Sequence, residues 1–200
     1  MKILLFCLPV LLIVSTSFNY KKHADKVINY LNTDEIIKFN KKEYKLSWSS
    51  HPVSNYYKQE YIPKGETSEH YSNLLLIDYL LIDTPAFNIV GVKVHEILER
   101  KKTDIVAQYQ LLKNPDKKDN YILDFLLSAG ENDKINVIEW NGYHYQNYTD
   151  KAGHKGVLLF GISKRAYGAD VTPFLQGLRA FKGEQLKVLV QYEAPKVEIK

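Results

Sequence analysis

Residues 120–165 constrain this chain most, because their alternating pattern predicts three consecutive antiparallel strands. The first of these strands is apolar on both faces of its pleat, with Asp124 between the apolar residues of one face. One face carries Tyr121, Leu123, Phe125 and Leu127, and the other carries Ile122 and Leu126. A sheet that is apolar on both faces needs packing elements on both faces. We therefore expect an α+β fold, a single α/β/α sandwich with a central, mainly antiparallel sheet covered by helices.

Further strands are predicted before this stretch. Residues 36–50 alternate on either side of the turn at 40–42, which predicts a hairpin with Tyr44, Leu46 and Trp48 on one face. The dipeptide His51-Pro52 should end it. Strands are also predicted over 55–62, over the apolar run 72–83, where a helix is the alternative, and over 106–112.

Helical spacing of apolar residues predicts three helices. A short amphipathic helix covers 20–32. A second begins with Asp83 or Thr84 as N-cap and Pro85 in its first turn, and a third begins at Thr172-Pro173. Residues 184–192 stay open between helix and strand, because their apolar side chains also alternate.

The first 17 residues read as a secretory signal peptide. Lys2 is followed by an apolar run over 3–14, and Ser15 and Ser17 fit the small-residue positions before a cleavage at Phe18. The run is too short for a permanent membrane span, so none is expected after cleavage. Residues 18–200 should then form a single globular domain, exported to the periplasm of a bacterium or secreted. Cleavage also removes Cys7, the one cysteine, so we expect no disulfide.

The charge pattern argues against nucleic acid as a partner. The formal net charge is +4, of which Lys2 contributes one unit. Basic pairs occur at 21–22, 41–42, 101–102 and 117–118, scattered along the chain. A nucleic-acid interface gathers such residues in one stripe.

Three stretches carry a resemblance to a known family: Trp48 to Pro52, the sequence EYIPKGE at 60–66, and the block from Leu123 to Trp140. With the order of predicted elements, they resemble the α/β/α sandwich of the PsbP family, the photosystem II accessory subunits and their bacterial relatives. The chain is most similar to small exported bacterial proteins of unknown role. The resemblance implies a fold and an exported location, with no activity or catalytic residue to transfer.

Candidate ligand-binding residues fall in three groups. His154 and Lys155 lie between Gly153 and Gly156, where a glycine-containing turn can accept an anion, although we favour a plain hairpin loop with exposed charges. Arg165 and Tyr167 offer a cation and a ring before the last helix, and pairing of Arg165 with Glu139 or Asp170 explains them equally well. The last candidates are Glu139, Trp140 and Tyr143, as a carboxylate beside aromatic rings. Such a carboxylate could line a sugar-binding or peptide-binding face, or the rings could simply be strand formers.

No cofactor or metal is predicted. The six histidines are spread out, and neither a His-x-His nor an HExxH spacing occurs. No sequence motif identifies a catalytic residue.

We therefore expect an exported, non-enzymatic binding or accessory domain that contacts a cell-envelope protein or a small ligand through an aromatic and basic surface. The chain has 15 tyrosines, which suit adaptable binding surfaces. The alternative is a small periplasmic hydrolase with His154 or Glu139 as general base. A third reading, docking on an anionic lipid or polymer, predicts binding that depends strongly on salt.

Overall fold

The structure is a computed structural model that describes residues 27–114, 117–131 and 134–199. The predicted signal peptide and residues 20–26 of the first predicted helix lie outside this range. The elements in chain order are β1 (Ile36–Phe39), β2 (Lys42–Val53), β3 (Tyr56–Ile62), β4 (Asn73–Leu80), α1 (Ala86–Arg100), β5 (Gln108–Lys113), β6 (Asn120–Glu131), β7 (Lys134–Thr149), β8 (Lys155–Tyr167) and α2 (Val171–Gln191). A 3₁₀ turn at Gly168–Asp170 connects β8 to α2.

The eight strands form one antiparallel sheet in the order β1-β2-β3-β4-β8-β7-β6-β5. The three strands predicted over 120–165 are β6, β7 and β8, and the apolar run at 72–83 forms β4 rather than a helix. Strand β4 pairs with β8 and so joins the first half of the chain to the last. The predicted α+β class is confirmed.

Each face of the sheet packs against one helix. Alternate residues of β6, β7 and β8 divide between two buried clusters, with Leu123, Tyr145 and Leu159 in one and Ile122, Trp140 and Phe160 in the other. The first cluster contains Val90 and Ile97 of α1, and the second contains Phe174 and Leu189 of α2. We call these two sides the α1 face and the α2 face.

The start of α1 differs from the prediction. Pro85 is the N-cap, and no side-chain hydrogen bond caps the helix from Asp83 or Thr84. Instead, the backbone N–H of Ala86 donates to Asn147 Oδ1 on β7, 2.7 Å away. A side chain of the sheet therefore accepts the hydrogen bond that a local capping residue would otherwise accept from the helix N-terminus.

Helix α2 settles the open assignment of residues 184–192, because it runs to Gln191. Its buried residues Val171, Phe174, Gln185 and Leu189 have helical spacing. The strand-like alternation near its end does not decide the structure, since Val190 lies exposed while Leu189 is fully buried.

The segment before β1 also differs from the prediction. Residues 27–32, the described part of the helix expected over 20–32, are not helical. Leu31 is fully buried, and its backbone N–H donates to Gln59 Oε1 at 2.8 Å. This tertiary hydrogen bond and the burial of Leu31 hold the segment in a non-helical course.

The β1–β2 hairpin is confirmed, but two details were wrong. Strand β2 continues past His51-Pro52 to Val53. A register shift between Leu46 and Trp48 places Trp48 opposite Glu60, while Leu46 stays opposite Tyr61. Because neighbouring β3 residues point to opposite faces, the shift moves Trp48 to the α1 face.

His144 makes the fold sensitive to acid. Its side chain is buried on the α2 face, and neither ring nitrogen has a hydrogen-bond partner within the described residues. Burial, with a smaller effect from Lys117, lowers its pKa from 6.5 to about 4. As the pH falls from 6.5 towards 4, the unfolded chain binds a proton that the folded chain excludes, so stability falls.

We expect this residue to reduce the free energy of unfolding by about 3 kcal/mol across that interval. Urea denaturation of wild type and of His144→Phe at pH 7 and pH 4 measures it: the variant should lose less stability on acidification. His95→Gln, at an exposed histidine of α1, is the control. Equal pH dependence in all three proteins would contradict the assignment to His144.

Candidate functional site

The structure places the seven predicted site residues in three separate locations. Four of them, Glu139, Tyr143, Arg165 and Tyr167, lie together on the α1 face of β7 and β8. Trp140 points to the α2 face and is buried. His154 and Lys155 lie at the other end of β8, at the turn from β7. The seven residues therefore do not form the single aromatic and basic surface that the sequence predicted.

The first group centres on an ion pair. Glu139 and Arg165 are directly opposite in the β7–β8 register, and Arg165 Nε donates to Glu139 Oε2 at 2.6 Å. The Tyr71 hydroxyl donates to the same oxygen at 2.6 Å. The Arg165 guanidinium lies over the Tyr71 ring, 4.3 Å from its centroid. These contacts fix the guanidinium in one orientation.

A second aromatic pair adjoins this ion pair. The rings of His70 and Tyr167 are stacked, with centroids 4.2 Å apart. The Tyr167 hydroxyl accepts from the backbone N–H of Tyr71 and donates to the Tyr71 carbonyl. We call His70, Tyr71, Glu139, Arg165 and Tyr167 the Arg165 patch.

The loop that supplies His70 and Tyr71 is itself held in place. Glu66 accepts from the backbone N–H and from the hydroxyl of Ser72, each at 2.7 Å. The Ser72 carbonyl accepts from the backbone N–H of Arg165 at 3.1 Å. The patch is thus preorganised by its loop as well as by the strands.

The same face continues over β3 and β4. The Tyr56 hydroxyl donates to Asp78 Oδ2 at 2.6 Å, and Lys58 lies opposite Asp78 in the register. Asp78 Oδ1 is buried and has no hydrogen-bond partner in the described part of the chain. We call Tyr56, Lys58, Glu60 and Asp78 the Asp78 patch.

Tyr143 lies between the two patches. It is opposite Gly161 in the register, and a Cβ on that glycine would come within 2.6 Å of the Tyr143 ring. Only glycine lets the ring lie this close to β8.

The position of α1 leaves both patches beside the helix rather than beneath it. The main contacts of α1 with strands are to β5, β6 and β7. Side chains of the Asp78 patch are consequently half-buried. The α1 face of β3 and β4 thus lies outside the main contacts of α1.

Burial and neighbouring charges shift the pKa values of several groups on this surface. Burial raises the pKa of Asp78, although Lys58 and the Tyr56 hydrogen bond lower it. Burial also raises the pKa of Glu60, with Lys58 opposing. Burial and the Glu139 charge raise the pKa of Tyr71, which stays a hydrogen-bond donor. Burial lowers the pKa of Arg165, but Glu139 and Tyr71 raise it more, so the guanidinium stays charged.

The remaining predicted residues have structural partners. The Trp140 indole N–H donates to Asp124 Oδ1 at 2.6 Å. His154 Nδ1 lies 2.8 Å from Asp150 Oδ2, and the His154 backbone N–H donates to Asp150 Oδ1, also at 2.8 Å. Burial acts to raise the pKa of Asp150, but the His154 hydrogen bonds lower it more. Lys155 is exposed at the start of β8.

The two patches combine hydrogen-bond donors and acceptors at fixed positions. They offer fixed donors from tyrosine and arginine and acceptors from three carboxylates. No group of three or more histidine, cysteine or acidic residues that could hold a metal occurs in residues 27–114, 117–131 and 134–199. Nor does any helix in that range have the length and apolar character to span a membrane.

Sequence reasoning missed His70, Tyr71 and the Asp78 patch. The usable signal was Asp78 inside an otherwise apolar run; the run Lys58-Gln59-Glu60 is polar throughout and does not show which side chains share a face. Neither pattern shows that β4 pairs with β8. Only that pairing brings the two patches onto neighbouring strands.

Fold and site together define an α+β domain with a preorganised polar and aromatic surface beside α1. A family model matches residues 31–194, so the chain belongs to that family, which is an uncharacterised bacterial family. No curated protein and no solved structure matches the chain.

Asp78 should cost stability at neutral pH. Its folded-state pKa is raised, so the folded chain favours the protonated form, and the stability gained from protonation is lost as the pH rises through the folded-state pKa. Asp78→Asn keeps an acceptor for Tyr56 without the charge. We expect it to raise the free energy of unfolding at pH 7 by about 1 kcal/mol, because burial penalises the charged form that the amide replaces.

Urea denaturation at pH 7 and pH 3 measures this effect, and the gain should vanish at pH 3. The exposed Asp83→Asn is the control and should change little at either pH. A loss of stability in Asp78→Asn at pH 7 would show that the charge of Asp78 is stabilised by Lys58 rather than penalised by burial.

Proposed function

We propose that this protein is an exported, non-enzymatic binding or accessory domain that contacts a protein of the cell envelope through the Arg165 patch. The observation that supports this most is the fixed guanidinium of Arg165, held by Glu139 at 2.6 Å and stacked on Tyr71 at 4.3 Å. Arginine and tyrosine are the residues most enriched among those that dominate interface energies. A side chain already held in one rotamer loses less conformational entropy on binding.

The charge pattern favours a protein partner over a uniformly charged polymer. The two patches alternate cations and carboxylates: Arg165 beside Glu139, and Lys58 beside Asp78. Mixed charges at short range fix the register of a complementary partner. An anionic lipid or polymer would instead be bound best by cations alone.

The proposed location and relationship come from the sequence. Export is inferred from the signal-peptide pattern of residues 1–17. The PsbP-like sandwich remains part of the proposal, inferred from the order of elements and from the stretches named above. An accessory subunit that binds other envelope proteins fits that resemblance.

A hydrolase is the second candidate, and the Asp150–His154 hydrogen bond is the observation in its favour. A carboxylate on Nδ1 leaves Nε2 as an acceptor, as a general base requires. The same carboxylate also accepts from the His154 backbone, however, and 49% of the imidazole side chain is exposed. Glu139, the other proposed base, already accepts hydrogen bonds from Arg165 and Tyr71. We therefore favour binding.

A pull-down from the envelope fraction with the mature protein tests the proposal, at low and at high salt with mass spectrometry of the recovered proteins. We expect one dominant partner that survives high salt. Arg165→Lys and His70→Ala should each weaken its binding about tenfold, because lysine cannot stack and alanine removes a ring.

His51→Ala is the matched control. His51 is also exposed and stacks on a tyrosine, Tyr57, at 4.0 Å, but far from the Arg165 patch in the sheet. It should bind like wild type. Equal recovery by all variants would exclude the patch, and recovery only at low salt would point to an anionic lipid or polymer.

A further inference from the structure

A second surface, on the α2 face, contains a cavity of about 340 Å³. Asp124, Leu126 and Trp140 form its buried floor, and Leu178 and Lys182 of α2 form one wall. The exposed residues Gln108, Tyr109 and Gln110 of β5 form its mouth. We call this the Asp124 cavity. Its volume lies at the lower end of the range of about 300–1,000 Å³ typical of small-molecule sites.

The cavity follows from the sheet topology. Helix α2 packs mainly on β7 and β8, whereas β5 is the edge strand two positions beyond β7. Trp140 contributes further, because its indole leans over Gly142, where a Cβ would lie 2.9 Å from the ring. The gap between α2 and β5 is thus a regular feature of the fold.

The polar centre of the cavity is a buried carboxylate. Only 3% of Asp124 is exposed. Its Oδ1 accepts from the Trp140 indole and its Oδ2 accepts from Lys182 Nζ, each at 2.6 Å. A buried ion pair adds little stability compared with apolar packing, so stability alone does not account for this one.

The charges of this pair exclude most charged ligands. Asp124 and Lys182 neutralise each other, and the other polar lining groups are the neutral side chains of Gln108 and Gln110, which lie opposite Leu126 and Asp124 of β6. The amides supply both donors and acceptors. Leu126 and Leu178 add apolar area. Tyr109 lies opposite Phe125 of the α1 face, so its ring points away from the cavity.

We propose that the Asp124 cavity binds a small neutral saccharide. A sugar ring has hydroxyls that both donate and accept, for the amides and the ion pair, and an apolar C–H face for Leu126 and Leu178. This site lies on the opposite side of the sheet from the Arg165 patch and is independent of it.

The fluorescence of Trp140 can report binding in the Asp124 cavity. The chain has two tryptophans, and Trp48 is far from the cavity, at the α1 face of β2. Because 39% of Trp48 is exposed, Trp48→Phe should fold normally and leave Trp140 as the one fluorophore of its kind. Its indole then reports on the contents of the cavity.

The experiment titrates mature Trp48→Phe protein with glucose, N-acetylglucosamine, maltose, acetate and ethylammonium. We expect at least one saccharide to change the fluorescence saturably and to raise the melting temperature, while acetate and ethylammonium do neither. Adding Gln110→Ala should weaken saccharide binding about tenfold. Adding Leu178→Trp should abolish the rise in melting temperature by filling the cavity.

Gln176→Ala, at an exposed glutamine of α2, is the matched control and should bind like the parent. Circular dichroism confirms folding of each variant. The proposal is overturned if no saccharide binds, if only a charged probe binds, or if Gln110→Ala binds saccharide like the parent protein.

Discussion

The pairing of β4 with β8 is the contact on which the rest of the structure depends. It joins residues 73–80 to residues 157–164 through eight consecutive residue pairs. Leu75 and Ile77 of β4 and Leu158 of β8 are fully buried there. Such a long-range pairing has a large loop-closure cost, which this apolar burial offsets. The pairing also determines the layout of the candidate site, because it places the Asp78 patch beside β8, the strand that bears Arg165.

Each face of the sheet has a buried carboxylate, and the two differ in their hydrogen-bond partners. On the α1 face, Asp78 has one oxygen without a partner among the described residues, and burial raises its pKa. On the α2 face, Asp124 has a partner on each oxygen. Neither carboxylate is needed to form a strand, and apolar residues would pack there at lower cost. We propose that these two carboxylates take part in the recognition of a partner and of a ligand.

The local parts of the fold were predictable from the sequence. Alternation predicted β6, β7 and β8, and the Thr172-Pro173 pattern predicted α2 but placed its N-cap two residues late, since Asp170 is the N-cap. The same alternation separates Trp140 from Tyr143, since an even and an odd position of one strand point to opposite faces. The aromatic surface expected around both residues is therefore two surfaces.

The remaining features depend on contacts that alternation cannot show. The register shift in β2 moves Trp48 to the other face, and the amide of Asn147, on a strand distant in sequence, replaces a local helix cap. The stacking of His70 on Tyr167 joins a loop to a strand that is distant in sequence. Such details follow from tertiary packing rather than from local propensity.

The central claim is that the Arg165 patch contacts a protein of the cell envelope. Site-specific photo-crosslinking in living cells tests it most directly, with a benzophenone amino acid replacing His70 in one strain and His51 in another. Our account predicts a discrete crosslinked product from position 70 and none from position 51. Absence of a product from position 70, or the same product from both positions, would contradict it.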